Sequence, residues 1–271
     1  MKYKLIVTDM DGTLLNSKGE VSIENKEALK ELQSRGIHVA IATGRIYTTA
    51  KVYAKYLGIV TPIICCNGAM VKNLENNEKI YSKAIDKEDC LKIVEICKKY
   101  NLYFHFYSDD TIFGEELKNK MLYFSEWAKT LKEEDQIKIE IVKDIKEVFE
   151  RETIYKFGIQ SENLELLDIV RDEINSSLNC EAHKSLSDML DIMSKGVTKG
   201  NAIKSLAQSL GVELEEVIAI GDNENDISMI KYAGLGVAMG NAEDKVKKVS
   251  DFVTDTNDNH GVSKVIKEFM L

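Results

Sequence analysis

Short runs of consecutive apolar residues alternate with helical patterns at both ends of this 271-residue chain, and that alternation restricts the fold more than any other feature. Residues 4–8 (KLIVT), 38–43 (HVAIAT), 62–66 (PIICC) and 217–220 (VIAI) are too uniformly apolar to keep one face in water. Strands of this kind are buried on both faces, as in a parallel sheet covered by helices. Helical patterns follow at about 24–35, closed by Gly36, then up to Leu57, closed by Gly58, and from Gly200 to Leu210. A short strand at 235–239 lies between further helical patterns, and a last helix begins at 261. Residues 69–84, after Asn67 and Gly68, read as a hairpin with Asn76 and Asn77 at its tip.

Between about 86 and 188 the pattern changes. Helical periods at 87–100, 114–131 and 162–178 mix with strand signals at 102–107, 137–142 and 154–159. Ile137, Ile139 and Ile141 alternate with Lys138 and Glu140, which predicts a strand with one wet face. The expected architecture is an α/β core with a Rossmann-like parallel sheet, built from 1–85 and 189–271 and interrupted by an inserted α+β domain at 86–188.

Composition narrows the function classes. The chain carries 36 Lys and Arg against 45 Asp and Glu, a net charge of −9, and has no basic stripe for a phosphate backbone or an anionic lipid surface. Neither nucleic acid nor a membrane is therefore an expected partner. The apolar run after Lys2 and Lys4 is too short for a signal peptide. The five cysteines (65, 66, 90, 97 and 180) are odd in number and without zinc spacing. Reduced thiols and a cytoplasmic location are the expectation.

Polar residues gather where the strands end, the place where open parallel sheets assemble their sites. Thr8 to Thr13 reads TDMDGT, Thr43 is followed by Gly44 and Arg45, and Gly221 is followed by Asp222, Asn223, Glu224, Asn225 and Asp226. A fourth element is Lys199, at the mouth of a predicted helix. An aspartate at a strand end is ordinarily a cap or turn residue, and a lysine ordinarily a solvated one. Four such elements in one core argue for a site.

The motifs DMDGT, TGR, a lysine and GDNEND, in this order, resemble the haloacid dehalogenase (HAD) superfamily, and more closely its Cof-type sugar phosphatases. In that family a cap domain is inserted between the second and third motifs, which matches the segment at 86–188. Asn67, Gly68 and Ala69, the stretch from Ala233 to Met239, and Asn257 through Val262 match further; His260 stands where the family often has an acidic residue. The resemblance implies a phosphoric monoester hydrolase. It assigns nucleophilic attack to Asp9 and proton transfer to Asp11, with the Asp11 carbonyl on the metal. The Met10 backbone N–H and the Asn225 side chain would contact the phosphate.

The residue types suit that chemistry. Displacing a phosphate ester with a carboxylate needs an ionised nucleophile, a proton for the leaving alkoxide, and cations around the phosphoryl oxygens. Asp9 and Asp11, two apart, project to one side of the strand end and can divide the nucleophile and acid/base roles. Asp9, Asp222 and a phosphate together demand a hard divalent cation, and two carboxylates with one carbonyl suit magnesium (Mg2+). A calcium loop at 222–227 is excluded, because Ile227 stands where such a loop needs glycine. Asp226 is either a support for the metal site or a first-turn helix charge. Thr43, Gly44 and Lys199 are candidates for holding phosphate. Arg45 is expected to cap or pair near its loop, and Thr13 to support the turn.

The expected function is hydrolysis of a small phosphorylated metabolite through an aspartyl-phosphate. Family breadth implies sugar phosphates, with pyridoxal phosphate or flavin mononucleotide as alternatives. A non-hydrolytic phosphoacceptor, a phosphate-ester-binding protein or a phosphomutase would use the same residues. A receiver-type phosphoacceptor is disfavoured, because it is about half this length and carries its phosphoacceptor on a middle strand, whereas Asp9 is on the first strand with Asp11 at the +2 position. The four histidines and Trp127 read as core or surface residues.

Overall fold

The computed structural model describes residues 2–271. The chain divides into two compact units, one made of Met1–Ser82 and Thr198–Leu271, the other of Lys83–Val197.

The first unit is built on a five-stranded, all-parallel sheet with the order Phe252–Val253, Leu235–Ala238, Val217–Gly221, Leu5–Thr8, His38–Ile41. Its central strand, Leu5–Thr8, is buried along its whole length, which is why it reads as an unbroken apolar run. Register brings Thr8 level with Ile220 on one side and Ile41 on the other. Asp9, Gly221 and Ala42, which follow these three residues, therefore lie together at the C-terminal ends of the strands. The strand Ile63–Cys65 lies beyond His38–Ile41, joined by a parallel bridge from Ile64 to Ala42, then pairs antiparallel with Met70–Lys72 and, through it, with Lys79–Ser82. Helix Lys199–Leu210 lays Ala202, Ile203, Leu206 and Ala207 into the core that includes Leu5, Val7 and Ala219. Its first turn is capped by Thr198, whose side chain accepts from the Asn201 N–H.

The second unit is a mixed six-stranded sheet with the order Cys180–Leu186, Met189–Ser194, Lys156–Gln160, Tyr103–Tyr107, Thr111–Gly114, Lys138–Ile141. Helices Lys87–Lys99, Ile145–Arg151 and Leu164–Ser177 contribute to its core, around Phe104, Phe106, Phe113 and Phe157. The fold class is thus the expected one, a parallel α/β core interrupted by an α+β insertion.

Several local expectations are corrected. The helix expected from 114 begins at Asn119, because Thr111–Gly114 is a strand paired with Tyr103–Tyr107. The return to the first unit falls at Thr198 and not at 189, since Met189–Ser194 is the central partner of Cys180–Leu186 and Lys156–Gln160. The alternating strand Lys138–Ile141 lies at the sheet edge, and Ile141 is 48% exposed where an inward residue was expected. The strand Phe252–Val253 and the helix Ile145–Arg151 have no counterpart in the sequence reading. All five cysteines are buried and none is in a disulfide among the described residues, and no helix among those residues is long and apolar enough to cross a membrane.

His105 makes the inserted unit sensitive to acid. It is fully buried, with Nε2 2.6 Å from the Tyr107 hydroxyl. Burial, reinforced by the charges of Lys156 and Lys120, lowers its pKa from 6.5 to about 3. Below pH 6.5 the unfolded chain takes up a proton that the folded chain refuses until about pH 3, so stability falls as pH falls through this window. From pH 7 to pH 5 the loss is expected to be roughly 2 kcal/mol. Urea unfolding of wild type and His105→Gln at both pH values measures it. The variant should show a smaller acid loss; an equal loss in both proteins would contradict the assignment.

Candidate active site

Asp9 follows directly from the central strand, and its N–H completes the ladder by donating to the Ile220 carbonyl at 2.9 Å. Its carboxylate is buried, and Oδ1 accepts from Lys199 Nζ at 2.6 Å. The same ammonium donates to Asp226 Oδ1 at 2.6 Å, and the Lys199 side chain is 0% exposed. A solvated lysine is therefore excluded. Burial works against the Lys199 charge, yet Asp226 and Asp9 together hold its pKa above the ordinary lysine value.

Asp226 anchors this arrangement from below. Its Oδ2 accepts from the backbone N–H groups of Asp222 and Asn223 at 2.9 and 3.0 Å. One Asp226 oxygen thus ties the 222–226 loop and the other holds Lys199. Asp222 is only partly buried, and its Oδ1 accepts from the Thr13 hydroxyl at 2.7 Å. One carboxylate oxygen from each of Asp9, Asp222 and Asp226 lies within 4.8 Å of the others. Burial foremost, and then the neighbouring aspartates, raise Asp9 well above the usual carboxylate range against the pull of Lys199. Burial and Asp226 push Asp222 up to about 6.

Asp11 turns another way. Its two oxygens take a bidentate pair from Arg45, Nε to Oδ2 at 2.9 Å and Nη2 to Oδ1 at 2.6 Å, and its side chain is 59% exposed. It stands outside the carboxylate cluster, and Arg45 has the pairing role expected of it. Gly12, between Asp11 and Thr13, has φ +81°, and a Cβ there would lie 2.4 Å from Asp222 Oδ2. Only glycine permits that approach.

The remaining candidates lie at or beside the same C-terminal strand ends. Thr43 is buried, and its Oγ1 accepts from the Arg45 N–H at 3.1 Å. Gly44 faces Asn67, whose Oδ1 would be 2.7 Å from a Cβ at that position. Asn67 Oδ1 accepts from Asn225 Nδ2 at 2.9 Å. The Met10 side chain is buried, so only its backbone is left for a ligand. His260 takes a left-handed φ of 60° and lies 3.5 Å from Glu24, apart from these groups. Sequence reasoning gave Asn67 no role at the site. Its signal was the Asn-Gly pair after a strand, and its φ of 56° is one that asparagine tolerates.

The parallel core, the inserted sheet and the aspartates at the strand ends define a hydrolase of the HAD type. The chain belongs to the haloacid dehalogenase-like hydrolases, a family that matches residues 6–266. It is 32% identical over 268 residues, 99% of this chain and 96% of the relative, to the 5-amino-6-(5-phospho-D-ribitylamino)uracil phosphatase YcsE of Bacillus subtilis. A haloacid dehalogenase-like hydrolase from Bacteroides thetaiotaomicron superimposes with a TM-score of 0.86 at 32% identity, covering 99% of this chain and all of that one. A HAD subclass IIB sugar phosphatase matches with a TM-score of 0.78 at 28% identity, covering 98% of each chain. The enzyme class, a phosphoric monoester hydrolase, is as the motifs imply, and these likenesses support a phosphatase of small phosphorylated metabolites.

Proposed function

We propose that the protein is a magnesium-dependent phosphatase that hydrolyses sugar-like phosphate esters through an aspartyl-phosphate on Asp9. The observation that carries this reading is the buried Asp9 carboxylate at the C-terminal end of the central strand, with Lys199 on one oxygen and Asp222 beside it. The Asp9 oxygen that does not face Lys199 attacks phosphorus, the bond from phosphorus to the ester oxygen breaks, and Asp11 gives that oxygen a proton. Water then attacks phosphorus, Asp11 takes the proton back, and the bond to Asp9 breaks to release inorganic phosphate. Asp11 must leave its pair with Arg45 to serve in both steps. Lys199, held by two aspartates, presents fixed positive charge to the phosphoryl oxygens. The Thr43 hydroxyl and the N–H groups of Met10 and Gly44 donate to them, with the Asn225 amide.

The donor set suits a hard cation. Asp222 keeps one oxygen outside the hydrogen bonds described above, and Asp9 Oδ1 retains a lone pair beside its bond from Lys199 while the other Asp9 oxygen attacks phosphorus. Burial first, and then the neighbouring carboxylates, raise the pKa of both. The Asp11 carbonyl would supply a third oxygen. When bound, magnesium supplies positive charge against the carboxylates and the phosphoryl group. Asp226, with both oxygens engaged, holds Lys199 and the loop.

A pH dependence follows from Asp222. With its folded pKa at about 6 against 3.8, its contribution to metal-free stability is full below pH 3.8 and is lost as pH rises through 6. A cation reverses that loss and competes with a proton below pH 6. Thermal unfolding at pH 5 and pH 8 is expected to show a larger rise in Tm with magnesium at pH 8, and an equal rise at both would contradict it.

The inserted unit, 86–188 in the sequence reading, is proposed to select the leaving group. Support for a sugar-like ester comes from the relatives named for a ribityl phosphate and for sugar phosphates. Phosphate release is measured over sugar phosphates, pyridoxal phosphate, flavin mononucleotide and an aryl phosphate, with magnesium and with chelator. The expected result is the highest kcat/KM on a sugar-like ester and none in chelator. No release from any ester, or full release in chelator, would overturn the proposal.

A further inference from the structure

Asn241 lies outside every group used in the proposed chemistry, yet its side chain reaches the loop that follows Asp11. Its Nδ2 donates to the Gly12 carbonyl at 2.8 Å, and its Oδ1 accepts from the Asn257 backbone N–H at 2.9 Å. Asn257 Nδ2 donates to the Leu15 carbonyl at 2.9 Å, and Asp258 Oδ1 accepts from the Ser17 N–H at 2.8 Å. Residues 12–17 are thus held at three points by side chains 229 to 242 positions further along the chain. The segment bearing Asn241 is itself tied to the metal-site loop, because the Glu243 N–H donates to the Asp222 carbonyl at 3.0 Å. Gly240 is tied in turn to Asp255, its N–H donating to the carbonyl at 3.0 Å. Residues 239–243 therefore form a strut between Asp222 and the Gly12 turn.

Water competes for bonds made by exposed side chains such as Asn241 and Asp258, so their share in global stability is small. What they fix is a position. That position is demanding, because a Cβ at Gly12 would lie 2.4 Å from Asp222 Oδ2 and the Thr13 hydroxyl holds Asp222 Oδ1 at 2.7 Å. Freed from its clasp, the turn would shift Thr13 and Asp222 relative to Asp9.

We propose that Asn241, oriented by the Asn257 backbone, is a positioning residue that fixes the turn at 11–13 against Asp222 and so sets the spacing of the acidic site. This deepens the proposed function and, for its catalytic consequence, rests on it. The test compares wild type, Asn241→Ala and Asn257→Ala. Three properties are followed: magnesium affinity by calorimetry, amide hydrogen exchange at Thr13, Leu14 and Leu15, and steady-state hydrolysis. Asn241→Ala is expected to weaken magnesium binding on the order of tenfold and to lower kcat in proportion. It should also speed exchange at these three amides alone, with KM for the ester unchanged and Tm nearly so. Asn257→Ala should shift the same amides less. Wild-type exchange at 13–15 in Asn241→Ala overturns the inference, as does wild-type metal affinity or a chain-wide rise in exchange with a fallen Tm. A wild-type protein that hydrolyses no phosphate ester overturns the proposed function instead, and the exchange comparison still decides the clasp.

Discussion

Asp9→Asn is expected to abolish phosphate release, by at least about a thousandfold, while leaving the fold intact. An amide cannot act as the nucleophile and is a weaker metal ligand. Stability should move the other way in metal-free buffer. Because the Asp9 pKa is raised, chiefly by burial, its contribution is full below 3.8 and is lost as pH rises through the folded value. Removing the ionised group therefore leaves Tm at pH 7 unchanged or higher. Magnesium should stabilise wild type and not the variant. Turnover comparable to wild type, or a variant that fails to fold, would contradict this account of Asp9.

Lys199→Met is expected to give the largest loss of stability. Two buried carboxylates share this one ammonium at 2.6 Å each. Removing one partner of a buried pair leaves an uncompensated charge, at a cost of about 3–5 kcal/mol. For a unit of this size that corresponds to a fall in Tm of roughly 10 °C. Activity should disappear with it, since Asp9 loses its orienting donor and phosphate its fixed charge. The double variant Lys199→Met with Asp226→Asn should recover part of the lost stability and none of the activity. A lone Lys199→Met as stable as wild type would show that the ammonium does not balance these carboxylates.

The site was more legible in the sequence than the inserted sheet. Asp9, Asp222, Thr43 and Lys199 could be placed because each ends or begins an element whose apolar pattern is unambiguous. Partners were not legible. That Lys199 bridges Asp9 to Asp226, that Asp11 turns to Arg45, and that Asn225 meets Asn67 depend on loops 27 to 190 residues apart in the chain. In the inserted unit, Thr111–Gly114 is too short to announce itself without its pairing to Tyr103–Tyr107. Cys180–Leu186 mixes Glu181, His183 and Lys184 with apolar residues, and its hairpin with Met189–Ser194 was therefore split at the expected boundary. Asn241 gave no signal at all, since an exposed asparagine near a turn is ordinary.

Acid-quenching the enzyme during turnover of its best ester and measuring intact and peptide masses decides whether Asp9 carries the phosphoryl group. An added phosphoryl mass is expected on the peptide containing Asp9, discharged by hydroxylamine as an acyl phosphate should be, and absent in Asp9→Asn. Rapid turnover with no phosphorylated enzyme at any quench time, or a phosphoryl group mapped to another residue, would contradict it.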